Sequence, residues 1–383
     1  MGQTLTEIAQ TLKESNKKVQ LIYAFNGVGK TRLSVEFKNL VYPKTDCDNE
    51  ENSNSLKVLY YNAFTEDLFY WDNDLEHDQN RVLKIQPNSF TYWLLNEEGK
   101  ENEVSECFTR YVNTKTTPNF IEDFSQVTFS TKNENGDIIQ NIKISKGEES
   151  CFIWSVFYTM LTLVLSELSE SEENRSSDKF NNLKYIFIDD PVTSLDENHL
   201  IKLAVDLSAL IRKHSKSFRF VITTHNPLFF NVLCNELRKL NKPKSNKGNN
   251  EDKEKTEVFK KFILRKEEDN TYHLESQPND SPFSYHLFLL SEIKKAIDSN
   301  SLQKYHFNMV RNILEKTSTF LGITDWGDLL NGEAEKNYLA RIVNISSHSK
   351  FSSMESINIT DEDRDVLKNI MKIMTEKYHF RIQ

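Results

Sequence analysis

AFNGVGKT, residues 24 to 31, stands where an apolar run, LIYAF at 21 to 25, meets an amphipathic one, TRLSVEFKNLV at 31 to 41. Leu33, Phe37 and Leu40 fall on one face of the second run, so the order reads strand, glycine loop, helix. That order sets phosphates at a helix N-terminus, where the dipole and the free N–H groups favour negative charge. Ala24 replaces the usual first glycine, but Gly27 and Gly29 remain and Lys30-Thr31 closes the pattern. The loop from Asn26 to Gly29 is expected to aim backbone N–H groups at a nucleotide. Lys30 supplies a point charge on the outer phosphates and Thr31 a magnesium ligand. Alone, a glycine-rich turn is as often only a turn, and two later stretches decide the matter.

The first is YIFIDDPVTSLD at 185 to 196 and the second VITTHN at 221 to 226. Tyr185 to Ile188 read as a buried strand, so Asp189 and Asp190 leave the C-terminal edge of a sheet, where ligands bind. Asp189 is expected to hold magnesium, directly or through water, and Asp190 to orient or deprotonate the attacking water. His225, at the end of FRFVITT, is placed to touch the terminal phosphate. A lone His at a strand end is more often structural, and its role rests on the company it keeps.

At 383 residues the chain exceeds the usual limit of a single core, so two domains are expected. Its mean hydropathy is −0.59, and the longest apolar stretch, Cys151 to Leu165, is too short to span a bilayer. It is expected to be a buried helix, and the protein cytoplasmic, with no membrane partner. MGQTLT fits the loose N-myristoylation pattern but reads here as the start of an ordinary helix. Cys47, Cys107, Cys151 and Cys234 show no CxxC or His/Cys ligand spacing, so neither zinc nor disulfides are expected. A net charge of −9 argues against a general nucleic-acid coat. Residues 241 to 256 contain no hydrophobic side chain and read as a solvated flexible loop, with a local basic patch as the rival reading. Polar stretches at 43 to 56 and 169 to 179 read as surface loops. No internal repeat or heptad arm is visible.

KISKGEES at 143 to 150 opens the long apolar helix and resembles the signature of the ABC ATPases, as SLD at 194 to 196 resembles their D-loop. In that class two heads dimerise head to tail. The resemblance implies that Ser145, Gly147, Glu148 and Asp196, with Lys146 beside them, act in trans on phosphates held by the other head. The class usually has Glu where this chain has Asp190, and the shorter carboxylate implies slow hydrolysis, well below the top of the usual range of about 1 to 1,000 per second.

YYNAFTEDLFYWDND at 60 to 74, QPNSFTYWLL at 86 to 95 and SKGEESCFIWSVFYTML, in this order, resemble the PrrC family of bacterial anticodon nucleases over nearly the full length. The resemblance implies an α/β ABC-type P-loop NTPase domain at 1 to 264, followed by a mainly α-helical C-terminal nuclease domain at 265 to 383. It implies ATP or GTP with magnesium as cofactor, tRNA-Lys as substrate cut 5′ of the wobble base, and a type I restriction-modification complex as the partner that keeps the enzyme latent in anti-phage defence. A homodimer, or a higher oligomer, follows from the head-to-tail arrangement.

The C-terminal third is expected to carry the nuclease. YHFNMVRNILEKTSTFLG at 305 to 322 is helical, with an apolar stripe of Phe307, Val310, Leu314, Thr317 and Leu321. Arg311 and Glu315 are four apart at its border. Such a pair is most often a surface salt bridge worth about 0.3 to 0.5 kcal/mol. The family resemblance gives Arg311, Glu315 and His348 as the catalytic triad. No metal is expected at this site: RNA is cut when its own 2′-hydroxyl attacks the adjacent phosphate, leaving a 2′,3′-cyclic phosphate and a 5′-hydroxyl. That chemistry needs a base, an acid and a cation. Glu315 and His348 can share the first two roles in either order, and Arg311 can clamp the phosphate. Arg341 and His348 also match the R-x6-H spacing of the all-helical HEPN ribonucleases, with Arg341 supporting and Asn344 a weaker candidate.

NDSPFSYHL at 279 to 287 resembles the segment of the family that reads the lysine anticodon. Asp280 either accepts hydrogen bonds from a modified wobble base or, with Ser281, caps the following helix. Phe283, Tyr285 or His286 can stack on splayed loop bases. The rival to the whole reading is an ABC-type ATPase of a DNA repair or defence complex with a separate nuclease subunit.

Overall fold

A computed structural model of the chain describes residues 2–43, 56–73, 76, 81–112, 115–191, 195–241, 258–267, 269–277, 285–330 and 359–381. Among these it contains helices α1 (Leu5–Glu14), α2 (Lys30–Val41), α3 (Ala63–Glu66), α4 (Ser89–Thr91), α5 (Glu101–Tyr111), α6 (Lys146–Glu167), α7 (Glu197–His214), α8 (Pro227–Leu237), α9 (Tyr285–Asp298) and α10 (Lys304–Leu321), with a last helix at Asp361–Glu376. The strands are β1 (Val19–Tyr23), β2 (Val58–Tyr61), β3 (Phe69–Asp72), β4 (Val82–Ile85), β5 (Thr117–Phe120), β6 (Gln126–Lys132), β7 (Ile138–Ile139), β8 (Tyr185–Asp189), β9 (Arg219–Thr224), β10 (Phe259–Lys266) and β11 (Tyr272–Gln277). The chain divides into two compact units, Met1–Pro282 and Phe283–Gln383.

The first unit is built on a six-stranded sheet in the order β11-β10-β1-β9-β8-β2. Its inner strands are parallel, and β11 closes one edge antiparallel to β10. β1, β8 and β9 are buried almost throughout, as expected of parallel strands covered on both faces. α1 starts where Thr4 caps it in a capping box with Glu7, and it buries Ile8 and Leu12 on the same layer as Leu33 and Phe37 of α2. Full burial of side chains of that size contributes about 1.5 to 3 kcal/mol each. The expected division after residue 264 falls inside β10. The physical reason is the antiparallel partner: β11 extends the head sheet to Gln277, with Leu264 opposite Leu274.

A second, antiparallel sheet, β3-β4-β6-β5 with β7 beside β6, holds the start of α6. Phe152 of α6 is fully buried, with ring centroids 5.3 Å from Phe129, 5.8 Å from Phe108, 6.0 Å from Phe120 and 6.1 Å from Phe69. α6 carries the apolar stretch singled out above. It is the one described helix long and apolar enough to cross a membrane, and 67% of its most apolar 18 residues are buried in the fold. Its first turn is polar because Ser145 and Glu148 form a capping box there. Cys107, Cys151 and Cys234 are buried free thiols, and Cys47 lies outside the described residues.

The described elements of the second unit are all helices. α9 packs on α10 and on the last helix, burying Leu289 and Ile293 with Phe307, Val310, Leu314, Leu367, Ile370 and Met374. The apolar stripe of α10 departs from expectation at its end. Ile313 is buried, whereas Leu321 is 49% exposed. The helix stops one residue later at Gly322, a left-handed C-cap, so Leu321 sits in the fraying last turn.

Candidate functional site

Three parallel strand ends build the nucleotide site. β1, β9 and β8 are neighbours in that order, with Tyr23 paired to Thr224 and Asp189 to Thr223. The phosphate loop leaves β1 at this edge. Gly27 and Gly29 take φ angles of 80° and 106°, open to glycine without a Cβ clash. α2 begins at Lys30 with no side chain capping its first turn. By contrast α1, α6, α7 and α8 are capped by Thr4, Ser145, Asp196 and Asn226. The leading N–H groups of α2 are thus left to meet an anion.

Lys30 bends back over the loop. Its Nζ lies 3.3 Å from the carbonyl oxygens of Ala24 and Phe25, 3.2 Å from Asn26 Oδ1 and 3.3 Å from Asp190 Oδ2. The Thr31 hydroxyl donates to Asp189 Oδ2 at 2.6 Å. Both are hard oxygens, the donor type magnesium takes, and Thr31 and Asp189 would hold the ion here. Asp189 also accepts from the Thr223 hydroxyl. Burial pushes its carboxyl up, against the hydrogen bonds from Thr223 and Thr31.

Asp190 moves the other way. Burial opposes its charge, but the hydrogen bond from His225 and the charges of Lys30 and His225 outweigh that and hold the carboxyl below the usual range. Its backbone is left-handed, φ 50°, which turns the carboxylate toward His225. His225 Nδ1 is 2.5 Å from Asp190 Oδ2, and Oδ1 accepts from the Thr224 hydroxyl and the His225 N–H, both at 3.3 Å. The structure therefore brings Asn26, Gly27, Gly29, Lys30, Thr31, Asp189, Asp190 and His225 together, with the His225 Nδ1 engaged by Asp190.

Sequence reading missed four neighbours. Asn62 is fully buried and donates from Nδ2 to Ser34 Oγ at 3.4 Å, joining β2 to α2 one turn past Lys30. Tyr61 donates its hydroxyl to Glu66 Oε1 at 2.9 Å. Burial raises the Glu66 carboxyl against that bond, and the charges of Asp190 and Asp189 raise it further. The signal was present in YYNAFTED, residues 60 to 67, which takes in the last two residues of β2, the strand paired with β8, and runs on past its end.

The residues expected to act in trans belong to two other helix starts. Ser145 is exposed; its hydroxyl and backbone N–H both donate to Glu148 Oε2 at 2.9 Å. Gly147 follows in the first turn of α6. Asp196 is exposed and accepts from the His199 N–H at 3.0 Å, the bond that chiefly holds its carboxyl low.

In the second unit Arg311 Nε donates to Glu315 Oε1 at 2.7 Å along α10, with side chains 24% and 45% exposed. His286 stands at the start of α9, and burial lowers its imidazole. The helix that carries this expected substrate reader, α9, packs on α10, which carries the Arg–Glu pair. Asp280, Phe283, Arg341, Asn344 and His348 lie outside the described residues, as does 242 to 257.

A family model described as an AAA domain matches residues 94–375. An Escherichia coli protein described as "Anticodon nuclease" is 44% identical over 399 aligned residues, covering 97% of this chain and 96% of that protein. Among solved structures, the SmcHead bound to the C-winged helix domain of ScpA aligns at 10% identity over 70% of this chain and 91% of that chain, with a TM-score of 0.34. The SMC head domain from Thermotoga maritima aligns at 12% over 69% and 91%, TM-score 0.29. The Smc head domain with an extended coiled coil from Pyrococcus furiosus aligns at 15% over 54% of this chain and 40% of that one, TM-score 0.29. The near-complete match to a single polypeptide decides against a repair-type ATPase with a separate nuclease subunit, and the chain belongs to the anticodon nuclease family, with a P-loop NTPase head in the same polypeptide.

Proposed function

We propose that the protein is an NTP-regulated endoribonuclease that cuts tRNA-Lys 5′ of the wobble base. The observation that carries this reading is the 2.7 Å Arg311–Glu315 pair on a half-exposed helix face, in a chain 44% identical to an anticodon nuclease over 97% of its length. Arg311 presents a guanidinium to the scissile phosphate. Glu315 and His348 divide the base and acid roles in attack by the 2′-hydroxyl, with Arg341 in support and no metal in the step. Residues from Asp280 to His286 read the anticodon loop.

The head binds ATP or GTP with magnesium on Thr31 and Asp189; the ion, when bound, neutralises phosphate charge. Lys30 and the N-terminus of α2 hold the phosphates, and Asp190 with His225 orients water. Ser145, Gly147, Glu148 and Asp196 of a second copy close over the nucleotide in a head-to-tail homodimer. A type I restriction-modification complex fits the role of latency partner.

The test is incubation of the purified chain with total tRNA and Mg-NTP, mapping cut sites and end groups. One cut in the tRNA-Lys anticodon loop ending in a cyclic phosphate, abolished in His348→Ala and weakened in Lys30→Ala, is the expected result. Intact tRNA under active NTP hydrolysis would overturn the reading.

A further inference from the structure

The YWDND stretch at 70 to 74 is absorbed by neither the nucleotide site nor the nuclease, yet two of its side chains hold the signature turn. Trp71, in β3, donates its indole N–H to Glu149 Oε2 at 2.8 Å. Glu149 is buried in the first turn of α6, and its other oxygen, Oε1, pairs with Lys146 Nζ at 2.8 Å. From the opposite side of the signature, Lys143 Nζ donates to Asn73 Oδ1 at 2.5 Å and lies 5.5 Å from the Trp71 ring centroid. The Trp71 ring is itself seated 5.9 Å from Phe129, which is fully buried in β6. The exposed Ser145–Lys146 turn is thereby gripped on both flanks by one strand end. A buried carboxylate at a helix start costs several kcal/mol to desolvate unless its partners repay it. Here the partners are Lys146 from the same turn and an indole donor from β3, and the second of these fixes the orientation of the turn on the sheet.

We propose that Trp71 and Glu149 are positioning residues that hold the Ser145–Gly147 turn in the attitude a second head needs to close over nucleotide. This rests on the head-to-tail reading given above. In that attitude Lys146, whose side chain is 75% exposed, is free at its outer face to meet an anionic group while Glu149 anchors it from within.

The test is sedimentation of the full chain with magnesium and a non-hydrolysable ATP analogue, comparing wild type with Trp71→Phe, Glu149→Gln and Glu149→Ala. Binding of a fluorescent analogue at protein concentrations where heads are single, and thermal unfolding, are read alongside. The expected result is that Trp71→Phe needs at least tenfold more protein to self-associate while binding by single heads changes less than threefold. Glu149→Gln, which keeps an acceptor for the indole, should lose less than Glu149→Ala. Equal self-association of wild type and Trp71→Phe would overturn the clamp and leave the head-to-tail reading standing. Absence of nucleotide-dependent association in wild type would overturn both.

Discussion

Asp190 receives His225 Nδ1 on the same carboxylate oxygen, at 2.5 Å, that faces Lys30 Nζ at 3.3 Å. A carboxylate with a lowered pKa and both oxygens engaged is a weak proton acceptor but a well-held orienting group. Replacing Asp190 with Asn should cut phosphate release about 100-fold or more, while nucleotide affinity falls by less than tenfold. Turnover within threefold of wild type would remove Asp190 from the hydrolytic step.

Arg311 and Glu315 separate chemistry from stability cleanly. An exposed i,i+4 pair contributes about 0.3 to 0.5 kcal/mol, so Arg311→Ala or Glu315→Ala should move the unfolding temperature by less than about 4 °C. The same substitutions should lower RNA cleavage at least about 100-fold. A loss of cleavage matched by a large loss of thermal stability would point to a folding role instead.

His306 gives the second unit a pH dependence of defined sign. It is buried, and its Nδ1 accepts from the Gln303 N–H at 2.8 Å, a bond only the unprotonated nitrogen can make. Burial lowers the imidazole pKa against the backbone contact to Gln303, so the unfolded chain takes up the proton first. Stability is full above the unfolded value of about 6.5 and is lost as pH falls below it. His286 in the same unit, and His214 in the first unit, are also lowered by burial and shift the stability of the chain in the same direction. Urea midpoints measured from pH 7.5 to 5.5 should fall for wild type and fall less for His306→Gln; parallel curves would assign the effect to the other two.

Phe152 is the shared contact of the antiparallel sheet and α6. Its truncation to Ala should cost about 3 to 5 kcal/mol, seen as a lower urea midpoint. It should also loosen the signature turn, seen as weaker nucleotide-dependent self-association. A midpoint unchanged within experimental error would contradict the packing described here.

The parallel core was legible because its signals are local. The glycines and Lys30-Thr31 declare the loop, continuous apolar runs declare the buried strands, and Ser145 with Glu148 declares a helix start. The antiparallel sheet was not. Its strands are short, and β3, β4 and β6 meet through pairings such as Trp71 with Leu83 and Leu83 with Val127, which no spacing in the sequence announces. For the same reason Glu66 and Asn62 escaped notice: their relation to Asp189 comes from the register of β2 on β8. Leu321 misled because helical periodicity was carried one turn into a terminus set by Gly322. At the candidate nuclease site the Arg311–Glu315 contact follows directly from helical spacing, whereas the packing of α9 on α10 joins segments that no spacing relates.

β1 carries the phosphate loop, yet it lies between β9 and β10, strands that arrive some 200 or more residues later in the chain. Such pairings are slow to form and must wait for synthesis. The ribosome therefore synthesises every strand of the nucleotide head, through Gln277, before Arg311, Glu315 and His348. The strands of the nucleotide head thus precede the residues proposed to cut RNA, an order of birth that suits an enzyme whose premature activity would damage the tRNA pool used to make it.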